Sequence, residues 1–403
     1  MESQPLSRRI GHVQRSLEPL LSFYTDPQFE ALRNDPEVCD FTTGNPQEMA
    51  ISAYVNSLQR WLPPQNKDWF AYKMNESQPQ VAVAEGLAAW RKKIFLPEDI
   101  FLTTGAFSAL ALILNAVLDP GDEVIFISPP WFFYESLIIS SGGVPVRVRI
   151  NPKTFDLDIN AIDNAITNRT RAIIINSPNN PTGKIYPAST LRALGQMLTS
   201  ISNRRDRPIY LLSDEAYSRI VFYETEYVSP TSFYNNTFLI YTYGKTLTAP
   251  GMRIGFIALP PEMEDRKNVR SSIFMSQLIT GYAFPDALLQ YALPDLDKLS
   301  IDVNHLEEKR DRMLEALNSM GYSVHKPEGT FYLLPRSPLA DDVAFCNQLV
   351  NYKIACLPGK IMEMPGYFRI SLTASDVMIE RALPQFAAAL ERAQRSEFIK
   401  NEL

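Results

Sequence analysis

Cysteine and histidine are scarce in this sequence, with three of each among 403 residues. Cys39, Cys346 and Cys356 form no CxxC pair, and their odd number argues against a disulfide framework. The three histidines are scattered along the chain, so we expect no metal site built from His and Cys ligands.

Long apolar runs are also lacking. No stretch of about 18 apolar residues is present, which excludes a membrane-spanning helix. The first residues, MESQPLSRRIGHVQRSLEPLL, contain neither an apolar leader core nor a small-residue cleavage site. The sequence therefore predicts a cytoplasmic protein. The net charge of −6 and the lack of long runs of like charge argue against a nucleic-acid-binding surface.

The composition is that of a globular protein, with 45% hydrophobic and 21% charged residues. Thirty prolines and 17 glycines interrupt the chain too often for a coiled coil. At roughly 150 residues per domain, the length indicates two or three units, or one large α/β body with a smaller lobe.

The middle of the chain alternates short apolar runs with helical patterns. Near-continuous apolar runs are typical of strands that are buried on both faces of a parallel sheet. Helical patterns follow at 105–118 and 188–201. The alternation predicts an α/β domain with a mainly parallel sheet. The apolar runs are 123–128, 171–176, 209–213, 237–242 and 252–259.

The two ends of the chain differ from this middle part. A charged amphipathic helix is predicted after residue 300 and ends at Gly321. Strand-like pieces at 330–334 and 367–372 and a last helix from about 375 follow it, which indicates a smaller α+β domain. We expect the N-terminal segment to pack with that small domain. The predicted parts are an N-terminal segment 1–45, a large domain 46–300 and a small domain 301–403.

Lys245 is the first candidate for chemistry, because it follows a predicted strand in the motif TYGKT. A lysine that loses water at a strand end has a lowered pKa and a nucleophilic amine, which forms a Schiff base with an aldehyde. Taken alone, a loop lysine is more often a surface residue.

Polar side chains follow two further strands. Asp214 could hold a protonated ring nitrogen by a charge-assisted bond, or it could cap a helix. Tyr217, three residues later, could donate to a phenolate oxygen or simply pack. Asn180 stands between two prolines, where a fixed amide could bind a ring oxygen and a carboxylate or form an Asx-turn.

A second set of residues is suited to anions and rings. Gly105 precedes a predicted helix, whose free amides can hold a phosphate with help from Thr242 and Arg253. Arg253 alone would more often be a salt-bridge partner. Trp131 could stack on an aromatic cofactor, and Arg369 in the strand FRIS could hold a carboxylate. Each of these two could instead be a packing or surface residue.

The order of these motifs is more specific than any one of them. SPNNPTG, SDEAY, TYGKTLTAPGMRIG and FRIS together resemble the class I/II aminotransferases of PLP (pyridoxal 5′-phosphate) fold type I, which are aspartate aminotransferase-like. The resemblance extends from FTTGNP at 41–46 to FRISLTAS at 368–375. It implies a three-layer α/β large domain with a smaller α+β domain. It also implies transfer of an amino group between an L-amino acid and a 2-oxo acid in amino-acid metabolism, with a biosynthetic role.

The resemblance assigns the central roles. Lys245 matches the lysine that forms the internal aldimine with PLP and then shuttles a proton. Asp214 matches the partner of the pyridine nitrogen, which lets the ring accept electrons. Tyr217 and Asn180 match the pair that binds the ring O3′.

The remaining roles concern the phosphate, the substrate and the subunit interface. Trp131 matches the stacking aromatic, and Tyr72 in WFAYK matches the tyrosine that reaches the phosphate of a neighbouring subunit. A homodimer with shared active sites is therefore implied. The matches to the phosphate site are Gly105, Ala106, Phe107, Thr242 and Arg253. The matches to the substrate carboxylate site are Gly44, Asn180 and Arg369.

Four positions depart from the family pattern, and these are Ser77, Phe107, Ser177 and Gly244. Phe107 and Gly244 remove two side chains that often contact the phosphate. The same site also runs elimination, cyclisation, decarboxylation or oxidation in relatives, so these reactions are the alternatives. A PLP-sensing regulator is a more remote one, because only about 40 residues precede FTTGNP and leave no room for a DNA-binding domain. A nicotinamide enzyme is disfavoured because no GxGxxG follows the first strand.

The substrate does not follow from these motifs. Arg369 would recognise any α-amino acid, and a dicarboxylate would need a second cation near its side chain. The aromatic stretch PPWFFYES at 129–136 could shape an apolar pocket or could be packing.

Overall fold

The computed structural model describes residues 7–402 except 28, 30, 31, 33, 34, 92 and 224, and describes side chains as far as residue 395. Its strands are β1 Cys39–Asp40, β2 Ile100–Thr103, β3 Glu123–Ser128, β4 Val144–Arg149, β5 Thr170–Asn176, β6 Tyr210–Asp214, β7 Thr237–Thr242, β8 Gly255–Ala258, β9 Tyr332–Leu333, β10 Ile354–Ala355, β11 Leu357–Pro358 and β12 Phe368–Ser371. Its α-helices are α1 Arg8–Tyr24, α2 Ser52–Trp61, α3 Ser77–Arg91, α4 Ala106–Val117, α5 Tyr134–Ser140, α6 Ile159–Ala165, α7 Ala188–Ser202, α8 Tyr243–Thr246, α9 Arg266–Thr280, α10 Ala287–Leu296, α11 Val303–Met320, α12 Asp342–Val350 and α13 Asp376–Glu402.

Seven strands form the central sheet in the order β2-β8-β7-β6-β5-β3-β4. Neighbouring strands are parallel except at β8, which runs antiparallel to both β2 and β7. All five apolar runs of the sequence are strands of this sheet, so the predicted α/β fold is confirmed. Strands β2 and β4 complete the sheet at its two edges.

Helices cover both faces of the sheet. Alternate residues such as Val124 and Phe126 of β3 pack with helices α4, α5 and α9 on one face. The residues between them, such as Ile125 and Ile127, pack with α6 and α7 on the other face. This alternation explains the apolar runs, because a strand between two helical layers buries both sets of side chains.

A second, smaller layer is built from the C-terminal part of the chain. Strands β11, β12 and β9 form an antiparallel sheet, and α11, α12 and α13 pack against it. The N-terminal strand β1 pairs in parallel with β10 of this region, whereas helix α1 lies along α5 beside the central sheet. The proposed boundaries at residues 45 and 300 stay predictions.

The sheet positions the loops that carry chemistry. Strands β5, β6 and β7 run in the same direction, and they end at Asn176, Asp214 and Thr242. The carboxyl ends of these strands therefore meet at one edge. In the part of the chain that the structure describes, no helix has the length and apolar character needed to cross a membrane.

Candidate active site

A cavity of about 240 Å³ lies at the carboxyl ends of β5, β6 and β7. Nine of the residues predicted from the sequence line it: Ala106, Phe107, Trp131, Asn180, Asp214, Tyr217, Thr242, Lys245 and Arg253. The remaining lining residues are Asn176, Ala216, Gly244 and Pro250. The fold thus brings together residues that are up to 147 positions apart in the chain.

Lys245 lies in α8, the single helical turn that follows β7. Its Nζ is 5.8 Å from the ring centre of Tyr217 and 5.9 Å from that of Phe331. A hydrogen bond fixes this turn, because the Tyr243 hydroxyl donates to Oδ1 of Asp297 at 2.6 Å. The lysine is thus partly buried on a fixed turn at the cavity wall.

Asp214 is buried at the end of β6, and burial raises its pKa to about 6. Two donors oppose that rise, since the Tyr134 hydroxyl bonds Oδ2 at 2.5 Å and the Ala216 amide bonds Oδ1 at 3.2 Å. The positive charge of Lys245 acts in the same direction. The carboxylate is therefore held in one orientation, next to a cation and inside the cavity.

Tyr134 and Asn176 were not predicted as site residues. The side-chain amide of Asn176 donates to the backbone oxygen of Asp214 at 2.9 Å, and its Oδ1 accepts from the backbone amide of Asn180 at 2.8 Å. It therefore ties two predicted site loops together. The sequence signals were weak: Tyr134 lies three residues after Trp131, and Asn176 directly precedes the SPNNPTG motif.

Arg369 and Asn180 form the second polar wall. Nη1 of Arg369 donates to Oδ1 of Asn180 at 2.8 Å, and Nη2 donates to the Thr42 backbone oxygen at 2.8 Å. The guanidinium lies over the ring of Tyr332, 4.1 Å from its centre. Within the described structure its buried Nε has no hydrogen-bond partner. A buried donor left without an acceptor is costly, and an anion would satisfy it.

Gly44 lies against the side chains of Phe331 and Tyr332. A Cβ atom at this position would be 2.7 Å from the Tyr332 hydroxyl oxygen and 2.8 Å from the Phe331 ring. The close approach of the backbone therefore requires glycine. This contact brings the N-terminal loop next to Tyr332, whose ring supports Arg369.

Gly105 begins helix α4 with φ at +93°, a conformation that side chains rarely adopt. A Cβ atom there would be 2.7 Å from Nη2 of Arg253 and 3.3 Å from Oγ1 of Thr242. The first amides of α4, at Ala106 and Phe107, have no partners inside the helix. Three predicted phosphate-site elements therefore converge on one point.

Tyr72 is not brought to this cavity by its own chain. Its side chain is 87% exposed and contacts the ring of Phe284 at 4.9 Å between centres. A role in the cavity would therefore require a neighbouring subunit.

The sequence pattern of the family "Aminotransferase class I and II" matches residues 39–386. The chain belongs to this aminotransferase family. The aspartate/prephenate aminotransferase of Thermus thermophilus is 31% identical, with 96% of this chain and 99% of the relative covered.

Solved structures agree with the family assignment. An amino transferase from Eubacterium rectale superposes with a TM-score of 0.86 at 26% identity and covers 97% of this chain and 100% of its own. An aspartate aminotransferase from Thermus thermophilus with maleate gives 0.82 at 28% identity, covering 96% and 100%. The protein is therefore an aminotransferase of fold type I.

Aminotransferases of this family use PLP, and the polar groups of the cavity fit the phosphate, the ring nitrogen and the aldehyde of that molecule. The α4 amides with Thr242 and Arg253 form a site for an anion such as a phosphate. Asp214 presents a carboxylate suited to a protonated ring nitrogen, and Lys245 presents an amine suited to an aldehyde.

A separate group of metal-type ligands lies outside the cavity. Atoms of Glu48, His305 and Asp376 lie within 4.8 Å of one another. Glu48 already accepts two 3.1 Å bonds from the buried amine of Lys309, and Asp376 pairs with Arg312. These ion pairs account for the acidic groups without a metal.

Proposed function

We propose that this aminotransferase moves an amino group between an L-amino acid and a 2-oxo acid, with PLP as cofactor and Lys245 as the reactive amine. One observation carries the proposal: a single cavity holds an amine, a buried carboxylate and an anion site. The family assignment and the full-length aminotransferase relatives support it.

When bound, PLP supplies an aldehyde for the amino group and a ring that accepts the electrons of the substrate Cα–H bond. Asp214 is placed to accept a hydrogen bond from a protonated ring nitrogen. Its two oxygens accept hydrogen bonds from Tyr134 and Ala216, so the orientation of the carboxylate is set without the cofactor.

Lys245 is the candidate base of the reaction. With PLP held in the cavity, the Nζ of Lys245 would act first as a general base that takes the proton from the substrate Cα and then as a general acid that returns it. The single turn of α8, fixed by the hydrogen bond from Tyr243 to Asp297, holds this amine at the cavity wall.

Arg369 is the candidate partner of the substrate α-carboxylate. Asn180 and the Thr42 carbonyl hold two of its nitrogens, which leaves the buried Nε as a donor for an anion. Gly44 contacts Tyr332, whose ring lies under the Arg369 guanidinium, so the backbone of Gly44 lies near the proposed carboxylate site. Tyr217 and Asn180 are the proposed partners of the ring O3′, and Trp131 of the ring face.

We also propose a homodimer in which Tyr72 reaches the phosphate site of the second subunit. The support is that the exposed ring of Tyr72 packs on that of Phe284, and that both chain segments carry further exposed apolar side chains, as interaction surfaces do. The exposed apolar residues of these two segments form the proposed face around Tyr72, and they are Phe70, Tyr72, Phe274, Met275, Leu278, Ile279, Tyr282 and Phe284. A cytoplasmic location and a biosynthetic role stay predictions from the sequence.

The test starts from protein purified with PLP. Borohydride should abolish its visible absorption band and leave the label on Lys245, as read by peptide mapping. Lys245→Ala should lose both the label and all turnover, whereas Lys153→Ala, which changes an exposed lysine, should behave like wild type. A label on another lysine would contradict the assignment.

The reaction itself is read in a second experiment. Mixing with amino acids one at a time should convert the cofactor band to that of the pyridoxamine form and release one equivalent of 2-oxo acid. Release of ammonia without the pyridoxamine form would indicate an elimination instead, and would overturn transamination.

A further inference from the structure

We propose that the preferred substrate is an amino acid with one carboxylate and an apolar, chiefly aromatic, side chain, and that Phe107 selects it. This inference rests on the proposed function, because it assigns the side-chain end of the same site. The argument has three steps, namely the cations, the wall of the cavity and the exposed face around Tyr72.

The cations near the cavity already have roles. Among the described residues that line it, Lys245 and Arg253 are the positively charged ones. Arg253 lies against Gly105 and donates to the Pro250 carbonyl at 2.7 Å, so it belongs to the anion site of α4. Arg369 stands behind Asn180, where the α-carboxylate is proposed to bind. A second carboxylate would therefore enter without a cationic partner, which is strongly unfavourable in a buried site.

The wall beside the anion site is aromatic. Phe107 is the second residue of α4, and its side chain lines the cavity. Its ring centre is 5.0 Å from that of Trp131, at 86° between planes, and 5.0 Å from that of Phe133. The contact with Trp131 is edge to face and the contact with Phe133 is tilted, and Phe107 and Trp131 together present an apolar surface to the cavity that suits an aromatic or aliphatic group. The aromatic stretch around Trp131 thus contributes to a pocket as well as to packing.

The larger of the two segments that form the face around Tyr72 contains no cation. Residues 271–297, which supply most of that face, contain no Lys or Arg. Lys73, next to Tyr72, lies 3.8 Å from Glu76 and 5.8 Å from the ring centre of Tyr291, so its charge is held within its own subunit. In the proposed dimer this face would bring further apolar surface to the site.

This preference would separate the chain from relatives whose names refer to aspartate. The Thermus thermophilus aspartate aminotransferase was solved with maleate, a dicarboxylate, whereas the cavity of this chain offers an aromatic wall. The difference is a specificity difference within one family, and it leaves the transamination itself unchanged.

The first experiment uses the PLP-loaded wild-type enzyme. Single-turnover conversion to the pyridoxamine form is measured with L-phenylalanine, L-leucine, L-aspartate and L-glutamate. We expect kcat/KM at least about tenfold higher for phenylalanine than for aspartate, as an apolar pocket gives roughly 10–200-fold for a well-fitted group. Equilibrium binding of two unreactive acids, 3-phenylpropionate and succinate, should follow the same order.

The second experiment changes the proposed selector. Phe107→Lys should raise the ratio of aspartate to phenylalanine by about tenfold or more, since it supplies the missing cation. Phe107→Thr, which removes the ring without adding charge, should lose phenylalanine turnover without that gain. Tyr223→Lys is the matched control, because this tyrosine is 92% exposed and lies outside the cavity.

The outcomes separate the two proposals. Wild-type enzyme that prefers aspartate or binds succinate more tightly overturns the substrate class and leaves the proposed function intact. An enzyme that carries PLP on Lys245 but converts no amino acid overturns the proposed function instead. A Phe107→Lys variant whose ratio matches that of Tyr223→Lys overturns the role of Phe107.

Discussion

The hydroxyl of Tyr134 donates a 2.5 Å hydrogen bond to Oδ2 of Asp214, and both residues are almost completely buried. Burial, together with the neighbouring charge of Asp214, raises the pKa of Tyr134 well above its usual value, so the phenol keeps its proton and remains a donor. The tyrosine thus stabilises the charged form of a carboxylate that burial alone would favour as neutral. We regard it as a positioning residue for Asp214.

Removing this hydroxyl with Tyr134→Phe should weaken PLP binding by about tenfold. The reason is that a hydrogen bond to a charged group contributes roughly 1.5–3 kcal/mol, part of which is recovered by rearrangement. The readout is the PLP dissociation constant of the apo protein, measured by fluorescence quenching alongside circular dichroism as a check on the fold. Tyr186→Phe is the control, because the Tyr186 hydroxyl is buried without a hydrogen-bond partner among the described residues. Equal PLP affinities in the two variants would show that Tyr134 does not contribute to PLP binding through Asp214.

Asp214→Ala tests the carboxylate directly. Loss of a fixed charge opposite the ring nitrogen should lower kcat by roughly 10²–10³-fold, the range found when one electrostatic contact to a transition state is removed. PLP should still be captured by Lys245, so the visible band is expected to persist with a changed wavelength. A variant that keeps more than about a tenth of wild-type kcat would show that Asp214 is only a structural cap.

The raised pKa of Asp214 predicts a pH dependence of stability in the apo protein. Since its pKa is about 6 when folded and 3.8 as a model carboxyl, the folded protein binds this proton more tightly than the unfolded chain. The stabilising contribution is therefore complete below the unfolded pKa and is lost as the pH rises through about 6. Urea unfolding should show wild type losing about 2 kcal/mol relative to Asp214→Asn between about pH 4.5 and about pH 7. If the free energies of unfolding of the two proteins changed in parallel with pH, the raised pKa of Asp214 would be contradicted.

Much of the fold was predictable because the inner strands are buried on both faces. Strands β3, β5 and β7 appear in the sequence as continuous apolar runs of the kind that a parallel sheet between helices requires. Strand β4 was not predicted, since Arg147 and Arg149 alternate with apolar residues on an edge strand that is partly exposed. Pro145 also lies in it, and proline is tolerated in a sheet mainly at the edge.

The candidate site was predictable where a motif fixes a strand end. Asp214 ends β6 and Lys245 lies three residues after the end of β7, so these parallel strands bring both residues to one edge. Tyr134 could not be placed in this way, because its contact with Asp214 spans 80 residues and depends on how α5 packs on the sheet. The free Nε of Arg369 was likewise beyond sequence reasoning, since it follows from two specific partners on separate loops.

The proposed dimer with shared active sites leads to the most specific prediction. Tyr72 is exposed and lies outside its own cavity, while Lys245 lines that cavity, so the two residues would serve different active sites of one dimer. Mixing Tyr72→Phe subunits with Lys245→Ala subunits should therefore give heterodimers with one intact site each. One site would carry both defects and the other none.

The measurement is the activity after subunit exchange. PLP affinity is measured in parallel, because Tyr72→Phe subunits alone are expected to keep part of their activity. About half of the wild-type turnover per heterodimer is expected, since one of two sites is intact. Mixing Phe107→Thr with Lys245→Ala is the matched control: both residues line the same cavity, so the site with Lys245 carries the Phe107 change and no wild-type site returns. Sedimentation showing a fully active monomer at the assay concentration would exclude the shared site, and with it the placement of Tyr72 at the phosphate.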